Sequence, residues 1–191
     1  MDGLIPFVLV VGLPSLSVFV WALATYNTLV RLRNHCREAW AGIDTELRRR
    51  YDLIPNLVET VKGYAAHERE TLEAVVRARA AAVASTGSPA SQARDENQFV
   101  GALRSLLAVS ESYPNLKANE NFLRLQNELA NTEDRIQAAR RFYNANVRDL
   151  NTRIEVFPSN LIARLFNFRP EEYFEVQDAG VRRAPQVKTS F

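Results

Sequence analysis

The stretch LIPFVLVVGLPSLSVFVWALATY at residues 4–26 carries no charged side chain, and NTLVRLRNHCREAWAGIDTEL at residues 27–47 follows it directly. As a helix the first stretch is about 35 Å long, enough to cross a hydrocarbon core of about 30 Å. It holds thirteen Leu, Ile, Val and Phe residues. At −0.3 to −0.6 kcal/mol each when central, these favour insertion by roughly 4–8 kcal/mol. Pro6, Pro14 and the small polar residues offset part of that gain. Pro14 is a candidate kink, which lipid-embedded helices tolerate. Trp21 and Tyr26 suit an interfacial anchor near the end of the span.

A cleaved signal peptide is the competing reading, because Ala22-Leu23-Ala24 matches an A-x-A cleavage site. Signal peptides start with a positive region, however, and the first charged side chain here is Asp2. The apolar run also exceeds the usual length of a signal sequence. An uncleaved anchor at residues 1–26 is therefore expected. No Lys or Arg precedes the span, whereas Arg31, Arg33 and Arg37 follow it, with Arg48, Arg49 and Arg50 beyond. The positive-inside rule then puts the N-terminus outside and the rest in the cytoplasm.

The remaining sequence reads as helices. Apolar residues recur at alternating steps of three and four in four segments. The first runs through Leu29, Leu32, Cys36, Trp40, Ile43 and Leu47. No glycine or proline separates it from Tyr26, so it continues the membrane helix. The second runs through Ile54, Leu57, Val61, Tyr64, Leu72, Val75 and Val83, the third through Phe99, Leu103, Leu106 and Tyr113. The fourth holds Phe122, Leu125, Leu129, Thr132, Ile136, Ala139, Tyr143, Val147, Leu150 and Ile154, a helix roughly 50 Å long. Asp52 is a candidate cap for the second helix, with Pro55 in its first turn, where a missing N–H is tolerated. A kinked continuous helix is the alternative. Ser85-Thr86-Gly87-Ser88-Pro89 reads as a loop and Tyr113-Pro114-Asn115 as a tight connection. Short connections make neighbouring helices antiparallel. The expected fold is all-α: a transmembrane helix (1–26), then an antiparallel four-helix up-and-down bundle with long helices (27–156).

Residues 157–191 form an aromatic-rich tail with Phe157, Leu161, Ile162, Leu165, Phe166, Phe168, Tyr173 and Phe174. Ser159 is a candidate cap for a short helix after Pro158. Such apolar density needs cover, from the bundle, a neighbouring subunit or the membrane surface. Residues 179–191 read as an extended strap.

Composition narrows the function. The 191 residues include 24 basic and 22 acidic side chains, for a net charge of +2. That balance argues against a nucleic-acid binder. With 7 glycines and 8 prolines, a turn-rich β architecture is not expected. The single cysteine, Cys36, cannot form an intramolecular disulfide and reads as a small apolar packing residue. Helical bundles build di-iron sites from Glu-x-x-His pairs. Here Leu32 and Tyr64 stand three positions before His35 and His67. Gly63 and Gly101 stand alone inside helices, so no phosphate loop forms, and there is no G-x-S-x-G. No catalytic, cofactor or metal residue is assigned. The constellation to weigh is Glu128, Thr132, Glu133, Asp134, Arg135, Arg140 and Arg141. A charged helix face is the plain reading. A subunit or partner contact is the functional one. Glu128, Glu133, Asp134, Arg135, Arg140 and Arg141, with Phe166, Phe168, Tyr173 and Phe174, are the candidate contact residues. Asn121, Asn127, Asn144 and Asn151 interrupt the fourth helix and are candidates for register-fixing hydrogen bonds.

Several blocks, in order, carry a family resemblance. Tyr26-Asn27-Thr28-Leu29-Val30-Arg31-Leu32-Arg33-Asn34 follows the span. Next come Glu38-Ala39-Trp40-Ala41-Gly42-Ile43-Asp44 and Arg49-Arg50-Tyr51-Asp52-Leu53-Ile54-Pro55-Asn56-Leu57-Val58. Then come Glu120-Asn121-Phe122, Leu125-Gln126-Asn127-Glu128-Leu129, Thr132-Glu133-Asp134-Arg135-Ile136 and Ala139-Arg140-Arg141-Phe142-Tyr143-Asn144. Phe157-Pro158-Ser159-Asn160-Leu161-Ile162-Ala163 closes the set. Over nearly its whole length the chain resembles the bacterial LemA family. The resemblance implies a membrane-anchored antiparallel four-helix domain and implies no enzyme activity. It also implies kinship with magnetosome-associated proteins, a hint of membrane organisation. Leu150 stands where the family often has tyrosine, and Cys36 where it usually has an aliphatic residue. Both look like packing changes.

The sequence thus leads to a non-enzymatic structural scaffold at the bacterial membrane, working as a homo-oligomer. Its expected partners are the lipid bilayer, further copies, and other membrane or cytoplasmic proteins, with no nucleic acid and no small-molecule substrate. An adaptor or signalling module presenting a helical surface to a cytoplasmic partner is the alternative. An enzyme or transporter accessory would need a deep polar pocket with convergent titratable groups.

Overall fold

A computed structural model describes residues 12–175. Pro6, the rest of residues 4–11 and the strap at 179–191 lie outside the described residues. Within them the chain is all-helical, with no strand. The elements are α1 (Leu13–Lys62), α2 (Arg69–Ala84), α3 (Pro89–Val109), a 3-10 turn (Ser110–Ser112), α4 (Pro114–Lys117), α5 (Glu120–Glu155) and α6 (Ser159–Leu165).

α1 is one helix from the apolar stretch onward, and that stretch is long and apolar enough to cross a membrane. Its large apolar side chains Leu13, Leu16, Val18, Phe19, Val20, Trp21 and Leu23 are exposed. Burial starts at Thr25 and continues at Leu29, Cys36, Ala39, Ile43 and Leu47, with helical spacing.

The expected helix start at Asp52 does not occur. Pro55 lies inside α1, which runs on to Lys62. A proline there leaves the Tyr51 carbonyl without its usual donor four residues on. The Arg79 Nε–H on α2 donates to that carbonyl at 2.8 Å. A side chain distant in sequence replaces the missing N–H, so the helix need not break.

The second expected helix is also two pieces. Gly63 is not inside a helix: it lies just past Lys62, and its N–H donates to the Glu59 carbonyl at 3.2 Å. Ala65, fully buried, donates to Val61 at 2.8 Å and closes the turn before α2. The apolar repeat is silent between Tyr64 and Leu72, which is the trace of this break. Tyr64 and Val83 are exposed, whereas Leu72, Val75 and Ala82 form the buried face of α2.

α2 and α3 pack against each other across the expected loop. Ser88 caps α3 by accepting from the Ser91 N–H, and Pro89 takes the first helical position. The Ser85 hydroxyl donates to Asp95 at 2.6 Å. Between α3 and α5 the 3-10 turn and α4 bury Leu116, and Asn119 caps α5 by accepting from the Phe122 N–H at 3.0 Å.

The chain divides into two compact units. One is Met1–Asp44 with Gln137–Glu172, the other Thr45–Ile136 with Tyr173–Phe191. In the first, Trp40 packs on Tyr143 with ring centroids 5.3 Å apart. Tyr26 packs on Phe166 at 4.7 Å and on Phe168 at 5.9 Å. Residues later in the chain than Tyr143 thus meet residues earlier than Trp40, so the helices of this unit run antiparallel.

The tail is shaped by three local devices. Ser159 does not cap α6. Its hydroxyl donates backward to the Arg153 carbonyl at 2.7 Å and the Val156 carbonyl at 3.0 Å, closing the end of α5. α6 ends in a Schellman turn. Asn167 takes φ 56°, a left-handed value asparagine tolerates, and the Phe168 N–H reaches the Ala163 carbonyl at 2.9 Å. That turn throws Phe168 back onto Tyr26 and under the Arg33 guanidinium, 5.1 Å from the ring centre. Beyond it, Asn151 clamps the returning chain. Its amide donates to the Glu171 carbonyl and accepts from the Glu171 N–H, each at 2.9 Å. The Tyr143 hydroxyl donates to the Glu172 carbonyl at 2.9 Å.

Replacing Arg79 with leucine should orphan the Tyr51 carbonyl and cost roughly 1.5–3 kcal/mol in urea unfolding. In a Pro55→Ala background the alanine N–H reclaims that carbonyl, and the same substitution should cost much less. Equal losses in both backgrounds would show that Arg79 does not act as the surrogate donor.

Candidate functional site

In the second unit, four helices bring side chains to one buried point. Arg50 and Tyr51 come from α1, Arg79 from α2, Glu96 and Phe99 from α3, and Glu133 from α5. The Arg50 guanidinium donates to Glu96 Oε2 and, at 2.7 Å, to Glu133 Oε2. The Tyr51 hydroxyl donates to Glu96 Oε1. Both carboxylate oxygens of Glu96 are therefore occupied. The guanidinium also lies 5.1 Å over the Phe99 ring, and Tyr51 meets Phe99 edge-on at 5.6 Å.

Arg50 and Glu96 are each only 2% exposed. A lone buried charge would be prohibitive, so each exists as an ion only because the other faces it. Burial pushes the Glu96 carboxyl above its ordinary range, while Arg50 and the Tyr51 hydrogen bond pull it down; Glu133 and Asp95 push it up further. The arrangement is a clamp in which the two terminal nitrogens of Arg50 face the carboxylates of Glu133 and Glu96, while its Nε is buried without a hydrogen-bond partner.

The sequence expected six charged residues of α5 at a contact. Glu133 serves Arg50 inside the chain. Glu128, Asp134, Arg135 and Arg141 are exposed, and Arg140 is half-buried. Of the aromatic candidates, Phe166 and Tyr173 are exposed, while Phe168 and Phe174 are buried within the chain. Arg50, Tyr51, Glu96 and Arg79 were missed. The signal existed: Arg50 falls on the stripe Ile43, Leu47, Ile54, Leu57, and Glu96 on the stripe Ala93, Phe99, Leu103, Leu106. A charged residue on an apolar stripe predicts a buried ion with a partner.

Cys36 is buried, and its thiol is pushed up to about 11 by burial and then by Glu171 and Asp149. Among the described residues no three potential metal ligands lie together. Elsewhere in the second unit Val58, Leu72 and Val76 line a cleft of about 610 Å³, rimmed by Glu59, Lys62, Arg69, Glu73 and Arg77.

Because folding raises the Glu96 pKa, stability linked to it is complete below the unfolded carboxyl value of ~4.3 and declines as pH rises through the folded value. Arg50→Leu removes the opposing cation. The variant should lose about 3–5 kcal/mol at neutral pH, and its stability should fall more steeply with rising pH than that of the parent. Adding Glu96→Gln should recover part of the loss at pH 8 and flatten the profile. Urea unfolding across pH 4–8 reads both effects; a double variant no more stable than Arg50→Leu at pH 8 would contradict the clamp.

The chain is similar to several known proteins. The chain is 26% identical to magnetosome protein MamQ 2 of Paramagnetospirillum magneticum, over 93% of this chain and 75% of that protein. It is 24% identical to magnetosome protein MamQ of Magnetospirillum gryphiswaldense over the same shares. Protein LemA of Metamycoplasma hominis is 26% identical, over 90% of this chain and 77% of its own length. The pattern describing the LemA family matches residues 39–189, which include every residue of the buried clamp, and the chain belongs to the LemA family.

Proposed function

We propose that this chain is a non-enzymatic scaffold, anchored in the bacterial cytoplasmic membrane by the start of α1 and working as a homo-oligomer. Its helical part is read as an antiparallel four-helix up-and-down bundle on the cytoplasmic side, the side that Arg31, Arg33 and Arg37 select. The observation that carries the reading is where packing stops on α1. Leu13 to Leu23 expose their large apolar side chains, and from Thr25 onward the helix is buried by its own domain. Water penalises such a bare apolar segment, and lipid does not.

Self-assembly is assigned to the outer side of α5. Glu128, Arg135 and Phe142 recur at seven-residue steps on one stripe, with Asp134 and Arg141 beside it. Phe142 is exposed. An exposed aromatic among charges of both signs suits a helix–helix contact. The adaptor reading draws on the cleft lined by Val58, Leu72 and Val76, a concave apolar surface with a charged rim.

Light scattering on the chain in mild detergent should give a mass of several copies. Phe142→Glu with Arg141→Glu should lower that mass while leaving helicity by circular dichroism unchanged. A strictly monomeric parent would remove the scaffold reading. Loss of a captured partner with self-assembly intact would favour the adaptor.

A further inference from the structure

We propose that α6 and its flanks form a second membrane contact, with Phe157, Leu161, Leu165 and Phe166 resting in the interfacial layer of the bilayer that α1 crosses, at the depth of Tyr26. The proposal rests on reading the start of α1 as an anchor.

The short helix is two-faced. Ser159, Ile162 and Ala163 are buried against the first unit. Phe157 is 78% exposed, Leu165 74%, and Leu161 and Phe166 54% each. Phe157, Leu161 and Leu165 stand four residues apart, so they form one stripe beside Phe166. Four large apolar groups on so short a stretch are an unusual thing to offer to water.

The position of this face identifies what covers it. Trp40 and Tyr143 lie opposite each other on antiparallel helices. Tyr26 stands fourteen residues before Trp40, and Phe157 fourteen after Tyr143. At 1.5 Å per residue Tyr26 is about 21 Å from that pair and Glu155, where α5 ends just before Phe157, about 18 Å in the same direction, so Phe157 is near the level of Tyr26. Direct contacts agree. Phe166 touches Tyr26, whereas Phe168 lies between Tyr26 and Arg33, further from the span. Protein cover of α1 begins at Thr25, so the bilayer surface meets the chain there. The exposed face therefore sits where the lipid headgroups begin.

The chemistry suits that layer. Interfacial helices bury Phe and Leu roughly 5–10 Å into the headgroup boundary and hold cations above them. Arg31, Arg164 and Arg169 are exposed on the same end of the unit, within reach of lipid phosphates. A second copy is the poorer occupant, because four side chains cover little of the roughly 1,200–2,000 Å² that a stable interface buries. The bilayer, in contrast, is already tethered by α1, so the contact forms at high effective concentration.

The test uses the full chain with Cys36→Val, reconstituted in phosphatidylcholine–phosphatidylglycerol vesicles. Single cysteines carrying a nitroxide replace Leu161 or Leu165. Val18 serves as the anchor reference and Leu123 as the water reference. Power saturation compares access to oxygen, which partitions into lipid, with access to a water-soluble nickel chelate. The proposal expects labels at 161 and 165 to favour oxygen several-fold more than Leu123, at shallower depth than Val18. Nickel access at 161 and 165 equal to that at Leu123, with Val18 in lipid, overturns the proposal and leaves the anchor standing. Labels shielded from both reagents would mark a protein neighbour and overturn it as well. A water-exposed Val18 overturns the anchor and this inference together.

Discussion

A guanidinium with almost no access to water is the constraint around which the second unit is arranged. Arg50 cannot be left alone in that environment, because one desolvated, unpaired ion costs several kcal/mol, a large share of a small domain's stability margin. It is tolerated because Glu96, Glu133 and the Phe99 ring surround it, and Glu96 is tolerated because Arg50 and Tyr51 occupy both its oxygens. Apolar stripes alone would let helices slide or rotate at small cost. A buried ion with directional partners on α3 and α5 admits one register. The adjoining residue, Tyr51, extends the node to α2 through its carbonyl and Arg79.

That node also explains which parts of the fold could be read from sequence. The period of three and four was enough to find the helices and most of their buried faces, because Leu29, Ile43, Leu57, Phe99, Leu125 and Val147 repeat with the geometry of the helix itself. Pro55 misled because its local effect is to end or kink a helix, and the compensating donor lies on another element. The break after Lys62 was missed although its signal was present: Lys62 in the last turn with Gly63 just past it is a helix-stop pattern, and it was passed over by placing Gly63 inside a helix. Ser159 misled in the other direction: a serine before an apolar run reads as a cap, yet its hydroxyl serves the helix before it. Among the candidate contact residues, Glu133 looked like its surface neighbours. Only the partner on α1 distinguishes it, and partners across elements are not written in local spacing.

The first unit works by a different principle. Its contacts are aromatic and its tail is held by backbone. Asn151 pairs with both polar groups of Glu171, as a neighbouring strand would, and so fixes an irregular segment that has no helix or sheet to satisfy it. Burial and the nearby Glu171 and Glu172 push the Tyr143 hydroxyl upward, so it stays a donor to the Glu172 carbonyl at any physiological pH. With Phe168 turned in and Phe166 turned out, one Schellman turn divides the tail into a part that completes the fold and a part that faces outward.

Hydrogen exchange on the intact chain in lipid nanodiscs, compared between the parent and Arg50→Leu, tests the central claim most directly. The account predicts that amides of α2, α3, the second half of α1 and the first half of α5 lose protection together when Arg50 is removed. Protection lost only in the turn around residue 50, with the other three helices unchanged, would contradict it.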